Sequence, residues 1–351
     1  MKLQINPYLK KDVNPRYHED YLEFDLAKNQ SEGLKANAYY FNNPEWAEEY
    51  LIYCHRDVHF KSRWKQALGD YSDKIVVDLG CGPGNVFANF SEKPKLLIGV
   101  DVAKNSLEFA KKAGYLPVLA DASNLPFKNG FSDIVILNAA LHHCDDMPGV
   151  LSEAARILKP GGTIITDHDP QKSAWNYKGI ALLLWKSRTL IYRFTGHGFH
   201  KEKGQQYWAL KTEIHHKPGH GVSKELFEDS LKPLGFDVKT YPHNHTEGVE
   251  IFNGTVGKAA FKYRLGNLLS GRNPNSKSSA LTLMCIAKKD LEFSTESVVY
   301  ELSIYFWRSV FIGFLVTPNF KSGFPEHCYG QFLNNRNSLL MRVPYLKKDV
   351  T

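Results

Sequence analysis

The stretch "IVVDLGCGPGN", Ile75 to Asn85, runs from an apolar, β-branched segment through an acid into three glycines at alternate positions. Glycine is required where backbone turns with positive φ or approaches a ligand without a Cβ in the way. The segment therefore reads as a strand that ends in a ligand-binding loop. The spacing of Gly80, Gly82 and Gly84 excludes two familiar loops. The dinucleotide fingerprint places its third glycine three positions after the second, and the phosphate loop needs a following Gly-Lys-Ser/Thr.

Working outward from the loop, short β-branched runs alternate with helical stretches. Strands are expected at 74–79, 96–101, 116–120, 132–138 and 162–167, with a closing strand at 281–289. Alternation of this kind predicts a mostly parallel sheet with helices on both faces and a ligand beyond the carboxyl ends of the strands. Asp101 closes "LLIGVD", where a carboxylate can accept both hydroxyls of a ribose. Asp121 closes "PVLAD", where it and the Ala122 amide are placed to read an adenine edge. Two acids at strand ends beside a glycine loop outline a nucleoside.

The pieces "VVDLGCGPGN", "IGVDVAKNSLEFAKK", "LADASNLPFKNGFSDIVILNAALHHCDD" and "EAARILKPGGTIIT", in this order and spacing, resemble the core of class I S-adenosylmethionine-dependent methyltransferases over residues 74 to about 170. The resemblance implies a Rossmann-like α/β fold with a seven-stranded, mostly parallel sheet, helices on both faces and an antiparallel final hairpin. It implies S-adenosyl-L-methionine as cofactor and S-adenosyl-L-homocysteine as product. Asp78 and the Gly80, Gly82 and Gly84 backbone would border the methionyl part, Asp101 would hold the ribose hydroxyls, Asp121 and Ala122 would contact the adenine, and Val102 is a further cofactor-binding candidate. Asn138 would line the sulfonium side.

Methyl transfer from a sulfonium needs alignment of a nucleophile and, where necessary, removal of a proton. His142 and His143, in "NAALHHCDD", follow the fourth strand of this core and titrate near neutrality, so either is a candidate base; His216 is a third. Packing within the loop is the competing role. In "EIHHKPGHG", Glu213, His215, His216 and His220 have a metal-like composition, but no HExxH or paired-cysteine spacing accompanies them, and no metal is expected. The aromatics Trp175, Tyr177, Trp185, Tyr192, Phe194, Phe199, Tyr207 and Trp208 suit either the wall of a lipophilic pocket or the core of a small cap.

The 351 residues are 43% hydrophobic and 23% charged, an ordinary globular composition. Three regions follow: an N-terminal helical cap at 1–70, a methyltransferase-like core at 71–290 with a cap insertion at about 171–222, and a C-terminal extension at 291–351. The segment from Asn43 to Leu68 reads as helix, with Asn43 as cap and Pro44 in the first turn. The net charge of +7 is scattered without a dense basic block, which does not indicate nucleic acid. Five cysteines without a CxxC pair read as free thiols, and the N-terminus lacks the apolar core of a secretory signal, so a cytoplasmic protein is expected. The run Val298 to Thr317 approaches a membrane span in length but contains Glu301 and Arg308. "PYLKKDV" occurs at Pro7 to Val13 and again at Pro344 to Val350, with no physical account from sequence.

The expected acceptor is a small, aromatic or lipophilic specialised metabolite, methylated at oxygen or nitrogen. A lipid-like or quinone acceptor at a membrane surface, with peripheral membrane contact, is a second reading. A cofactor-binding module without catalysis is a third. RNA methylation would demand a basic face.

Overall fold

In the computed structural model the described residues are 2–26, 30–88, 90–195, 203–212 and 219–291. The strand of the glycine loop, β3 (Ile75–Leu79), has all five residues buried, as an internal parallel strand must. With β1 (Arg16–Tyr17), β2 (Leu22–Glu23), β4 (Leu96–Asp101), β5 (Leu116–Leu119), β6 (Ser132–Asn138), β7 (Leu158–Asp167), β8 (Phe236–His243) and β9 (Thr282–Lys289), it forms one sheet in the order β1-β2-β5-β4-β3-β6-β7-β9-β8. The strands β5, β4, β3, β6 and β7 run parallel, and β9 pairs antiparallel with both β7 and β8. The expected final hairpin is therefore present.

The sheet of the described residues has nine strands rather than the expected seven. The two extra strands come from the N-terminal region, where the sequence pattern predicts only helix. There Arg16 reaches Glu23 and Asp25 at 2.7 and 2.6 Å, closing a short turn, and the fully buried Leu22 lays β2 parallel to β5. Strands of two residues carry no readable period.

The helices are α1 (Lys2–Ile5), α2 (Glu32–Phe41), α3 (Pro44–Arg56), α4 (Val58–Leu68), α5 (Asn85–Ala88), α6 (Lys104–Lys112), α7 (Met147–Ile157), α8 (Lys172–Trp175), α9 (Gly179–Thr195), α10 (Lys203–Thr212), α11 (Lys224–Leu231) and α12 (Phe261–Leu269). Asn43 does cap α3, accepting from the Glu45 amide at 3.1 Å. The single helix expected from Asn43 to Leu68 is broken at Asp57. This residue leaves helical geometry (φ −82°, ψ 103°), and its carboxylate accepts the His59 amide at 2.9 Å as the cap of α4.

Side chains alternate across the strands, and each face of the sheet has its own core. Val77, Leu79, Val135 and Leu137 pack with Leu151 of α7 and Phe227 of α11. Val76, Ile134 and Ile136 pack with Trp64 of α4 and Leu107 of α6. Each fully buried side chain of this kind contributes about 1.5–3 kcal/mol, so the two cores hold the strand ends, and hence the site, rigidly. The described residues of 171–222 include α8, α9 and α10. Trp185 packs against Trp175 and Tyr177, and Trp175 against Tyr263 of α12, in edge-to-face or tilted pairs with ring centroids 5.4 to 5.5 Å apart. α10 packs instead on α2, where Trp208 meets Tyr39 at 5.6 Å.

The first "PYLKKDV" copy is structural: Leu9 is buried and bridges to Phe127, and Lys128 donates to the Tyr8 carbonyl at 2.8 Å. The second copy, and the apolar run from Val298 to Thr317, lie outside the described residues. Among the described residues, no helix is long and apolar enough to cross a membrane, and Cys81, Cys144 and Cys285 are free.

Candidate active site

The chain leaves β3 with three left-handed glycines: φ is 68° at Gly80, 51° at Gly82 and 90° at Gly84. Each has a different neighbour. A Cβ on Gly80 would lie 2.6 Å from the Ala140 methyl, and one on Gly84 would lie 2.8 Å from the Tyr115 ring. A Cβ on Gly82 would meet nothing closer than 3.9 Å, because that position opens into a cavity of about 530 Å³. The Gly82 amide donates to Asp101 Oδ2 and the Ala103 amide to Asp101 Oδ1, both at 2.8 Å. Burial pushes the Asp101 carboxyl up, opposed by the Ala103, Gly82 and Val102 amides.

Gly80, Gly82, Asp101, Val102, Asp121, Ala122, Asn138, His142 and His143 all border this one cavity. Asp78 and Gly84 do not. Asp78 lies behind the loop, where the Tyr115 hydroxyl donates to its Oδ2 at 2.8 Å, and Gly84 packs on the same ring. Burial raises the Asp78 carboxyl to about 7, with the Tyr115 hydrogen bond opposing. His216, with Glu213 and His215, lies outside the described residues, and among the described residues no cluster of metal-ligating side chains occurs. The aromatics Trp175, Tyr177 and Trp185 are absent from the cavity wall. Their ring cluster is the core of the cap.

The wall suits a nucleoside-bearing amino acid. Both polar side-chain atoms of Asn138 are buried and unpartnered. Such groups cost about 1–3 kcal/mol each until a partner arrives. Gly82 leaves room for that partner, and the Asp101 carboxylate has lone pairs beyond the amides it accepts.

Opposite the loop, Ala139 takes φ 51°, and the chain turns through a short 3-10 segment, Leu141–His143. Left-handed non-glycine residues of this kind cluster at functional sites. Asp169, just beyond β7 and fully buried, accepts both the His142 amide at 3.0 Å and His142 Nδ1 at 2.8 Å through one oxygen. A carboxylate only accepts, so the ring proton sits on Nδ1 and Nε2 is the basic nitrogen. His143 Nδ1 likewise donates to the Thr212 carbonyl at 2.8 Å, and Asn37 of α2 donates to the His143 carbonyl at 2.9 Å. Cys144 also borders the cavity, but burial pushes its thiol up, so it is no nucleophile.

Asp169 was missed in the sequence, as was a second buried cluster beside it. Arg63 of α4 donates to Asp167 Oδ2 at 3.3 Å and to His168 Nε2 at 2.9 Å, and His243 Nε2 meets Asp167 Oδ1 at 2.7 Å. His245 Nδ1 stands 3.2 Å from His168 Nε2. Burial lowers His168 from 6.5 to about 3 and takes His245 well below its usual value, so both are neutral. Burial alone would raise Asp167, but the charges of His243 and Arg63 hold it well below the usual carboxylate range. The only available signal was "TDHDP" at the end of a strand.

A parallel α/β sheet whose first core strand ends in a glycine cradle, with acids closing the next two strands, defines a nucleoside-cofactor enzyme fold. Residues 77–166 match the family model described as a methyltransferase domain. The demethylmenaquinone methyltransferase of Lactococcus lactis is 28% identical over 178 residues, 48% of this chain and 69% of the relative. The malonyl-[acyl-carrier protein] O-methyltransferase of Hamiltonella defensa is 31% identical over 127 residues, covering 36% of this chain and 48% of that protein. Among solved structures, the geranyl diphosphate C-methyltransferase of Streptomyces coelicolor aligns with a TM-score of 0.48 at 14% identity, over 74% of this chain and 99% of that one. Residues 77–166 are therefore a methyltransferase domain, and the glycine cradle with its two strand-end acids supports the class I S-adenosylmethionine-dependent kind, with S-adenosylmethionine as cofactor.

Proposed function

We propose that the protein methylates an oxygen or nitrogen of a small, lipophilic acceptor and that His142 removes the acceptor's proton. The observation that carries this reading is that the glycine cradle and the His142–Asp169 pair open into the same cavity. When bound, S-adenosylmethionine supplies a methyl group already activated by the positive charge on its sulfur. Gly82, Asp101 and Asn138 orient that cofactor. His142, with Nδ1–H held by Asp169, presents Nε2 to the acceptor O–H or N–H, and the buried carboxylate stabilises the imidazolium that forms. Leu34, Tyr40 and Phe41 of α2 close the cavity with apolar surface and exclude water.

A quinone or lipid-like acceptor is a second reading. It is favoured by the apolar side chains that α9 exposes, Leu183 being 69% exposed, and by the relative named a demethylmenaquinone methyltransferase.

Calorimetric titration with S-adenosylmethionine and S-adenosylhomocysteine tests the cofactor site first. Asp101→Ala is expected to weaken both by about 1.5–3 kcal/mol, roughly 10- to 150-fold; unchanged affinity would remove Asp101 from the site. Acceptors are then screened by mass gain among phenols, amines and quinols. With any acceptor found, His142→Ala is expected to lower kcat by roughly 100- to 10,000-fold without altering cofactor affinity. Normal turnover would return His142 to packing.

A further inference from the structure

The helix α9 turns its apolar residues the wrong way for a water-soluble surface helix. Ala181 and Trp185 face the protein, whereas Ile180, Leu183, Leu184, Leu190 and Ile191 are between 54 and 69% exposed. The spacing i, i+3, i+4, i+10, i+11 puts all five on one outward stripe. α12 packs on α9 and exposes Phe261, Leu268 and Leu269 in the same manner. The aromatic cluster of Trp175, Tyr177, Trp185 and Tyr263 lies beneath them, and the Lys178 amide donates to Ser270 Oγ at 3.1 Å. The two helices therefore form one supported platform. Contiguous exposed apolar surface on this scale marks an interaction site.

Charge identifies the partner. The two stretches that build the platform, residues 172–195 and 254–277, contain lysines and arginines and no aspartate or glutamate. Among them Lys178, Lys186 and Lys262 are exposed on the helices or at their starts. An apolar stripe flanked by cations, without acids, is the pattern of a helix that lies in the interface of an anionic bilayer, with its apolar side chains among the acyl chains and its lysines at the phosphates. A protein partner of this character would have to be apolar and acidic together.

We propose that the α9–α12 platform docks the protein onto anionic lipid bilayers as a peripheral, non-spanning enzyme. The proposal does not depend on which acceptor the cavity takes.

Co-sedimentation of the full chain with phosphatidylcholine vesicles, with and without phosphatidylglycerol, tests it. The expected result is binding to the anionic vesicles at low salt, loss of that binding at high salt, and weak binding to phosphatidylcholine alone. The double variant Leu183→Asp/Leu190→Asp and, separately, Lys178→Glu/Lys262→Glu are expected to reduce partition by roughly tenfold or more. All four positions are solvent-exposed, and an unaltered melting curve and cofactor titration show that the variants fold. Absence of binding to anionic vesicles overturns the proposal. So does undiminished binding by the variants, which would place the contact elsewhere in the chain. A lipid-free dimer that the leucine variants dissociate would make the platform an interface between two copies and overturns it as well.

Discussion

Gly80 and Gly82 are two residues apart and equally left-handed, yet a methyl group means something different at each. In Gly80→Ala the new Cβ overlaps Ala140, so the strain of a left-handed alanine, about 1–2 kcal/mol, is joined by a steric clash in the folded state. In Gly82→Ala only the backbone strain acts on stability, and the methyl projects into the cavity. Thermal melts and calorimetry on the two variants are expected to separate them. Gly80→Ala lowers the melting temperature more, and Gly82→Ala loses more cofactor affinity for its stability loss. Equal behaviour would mean that the loop binds as a unit. The glycine spacing in the sequence announced a close backbone approach, but not which glycine faces ligand and which faces protein. That difference is made by Ala140 and Tyr115, which arrive from other strands. Asp169 was hidden for the same reason. "TDHDP" offers two acids, and only the fold assigns Asp167 to Arg63 and His243, and Asp169 to His142.

At the scale of elements, α2 is the part of the cavity wall that depends most on its cap. Ser31 accepts the Leu34 amide at 2.9 Å and donates to the Asp145 carboxylate, tying the start of α2 to the segment after His143. Ser31→Ala removes both contacts and is expected to cost about 1 kcal/mol of helix stability. Cofactor affinity should then fall several-fold while the global melting point moves little, because the sheet does not rest on α2. A calorimetric titration beside a melting curve checks this; an unaltered dissociation constant would show that α2 is held by α10 alone. Elements were legible wherever period and punctuation agreed. The strands 96–101 and 132–138 fall where the β-branched runs place them. The break at Asp57 was not legible, because the residues on either side are all compatible with helix, and only the capped amide of His59 reveals the interruption. The cap aromatics were ambiguous for a similar reason: a ring cluster and a pocket wall draw on the same residues.

For the whole molecule, the buried histidines set a limit on acid. His168, lowered from 6.5 to about 3 by burial, binds its proton less readily folded than unfolded. Its contribution to stability is complete above pH 6.5 and is lost progressively as pH falls toward 3. His245 acts in the same direction, and Asp167, held low by His243 and Arg63, adds to the loss below 3.8. Each such histidine contributes a slope of about 1.4 kcal/mol per pH unit within its window. Asp78 acts oppositely: raised from 3.8 to about 7, it stabilises fully below 3.8 and loses that contribution as pH rises through 7. Urea midpoints of the cofactor-free protein are expected to fall between pH 6.5 and 4.5. In His168→Asn, whose side chain tolerates a left-handed backbone, that fall should be shallower. A wild-type midpoint that is flat over this range would refute the assignment.

The hairpin of β1 and β2 matters beyond the count of strands. Without it, β5, whose four residues are all buried, would end the sheet as an unpaired apolar edge. Such an edge is a template for the strand of another molecule. With Leu22 laid against it and the ion-paired, solvent-facing Arg16 outermost, the sheet instead stops at a two-residue strand bristling with charge. The N-terminal region thus guards against aggregation at the flank farthest from β8, while its helices complete the cavity.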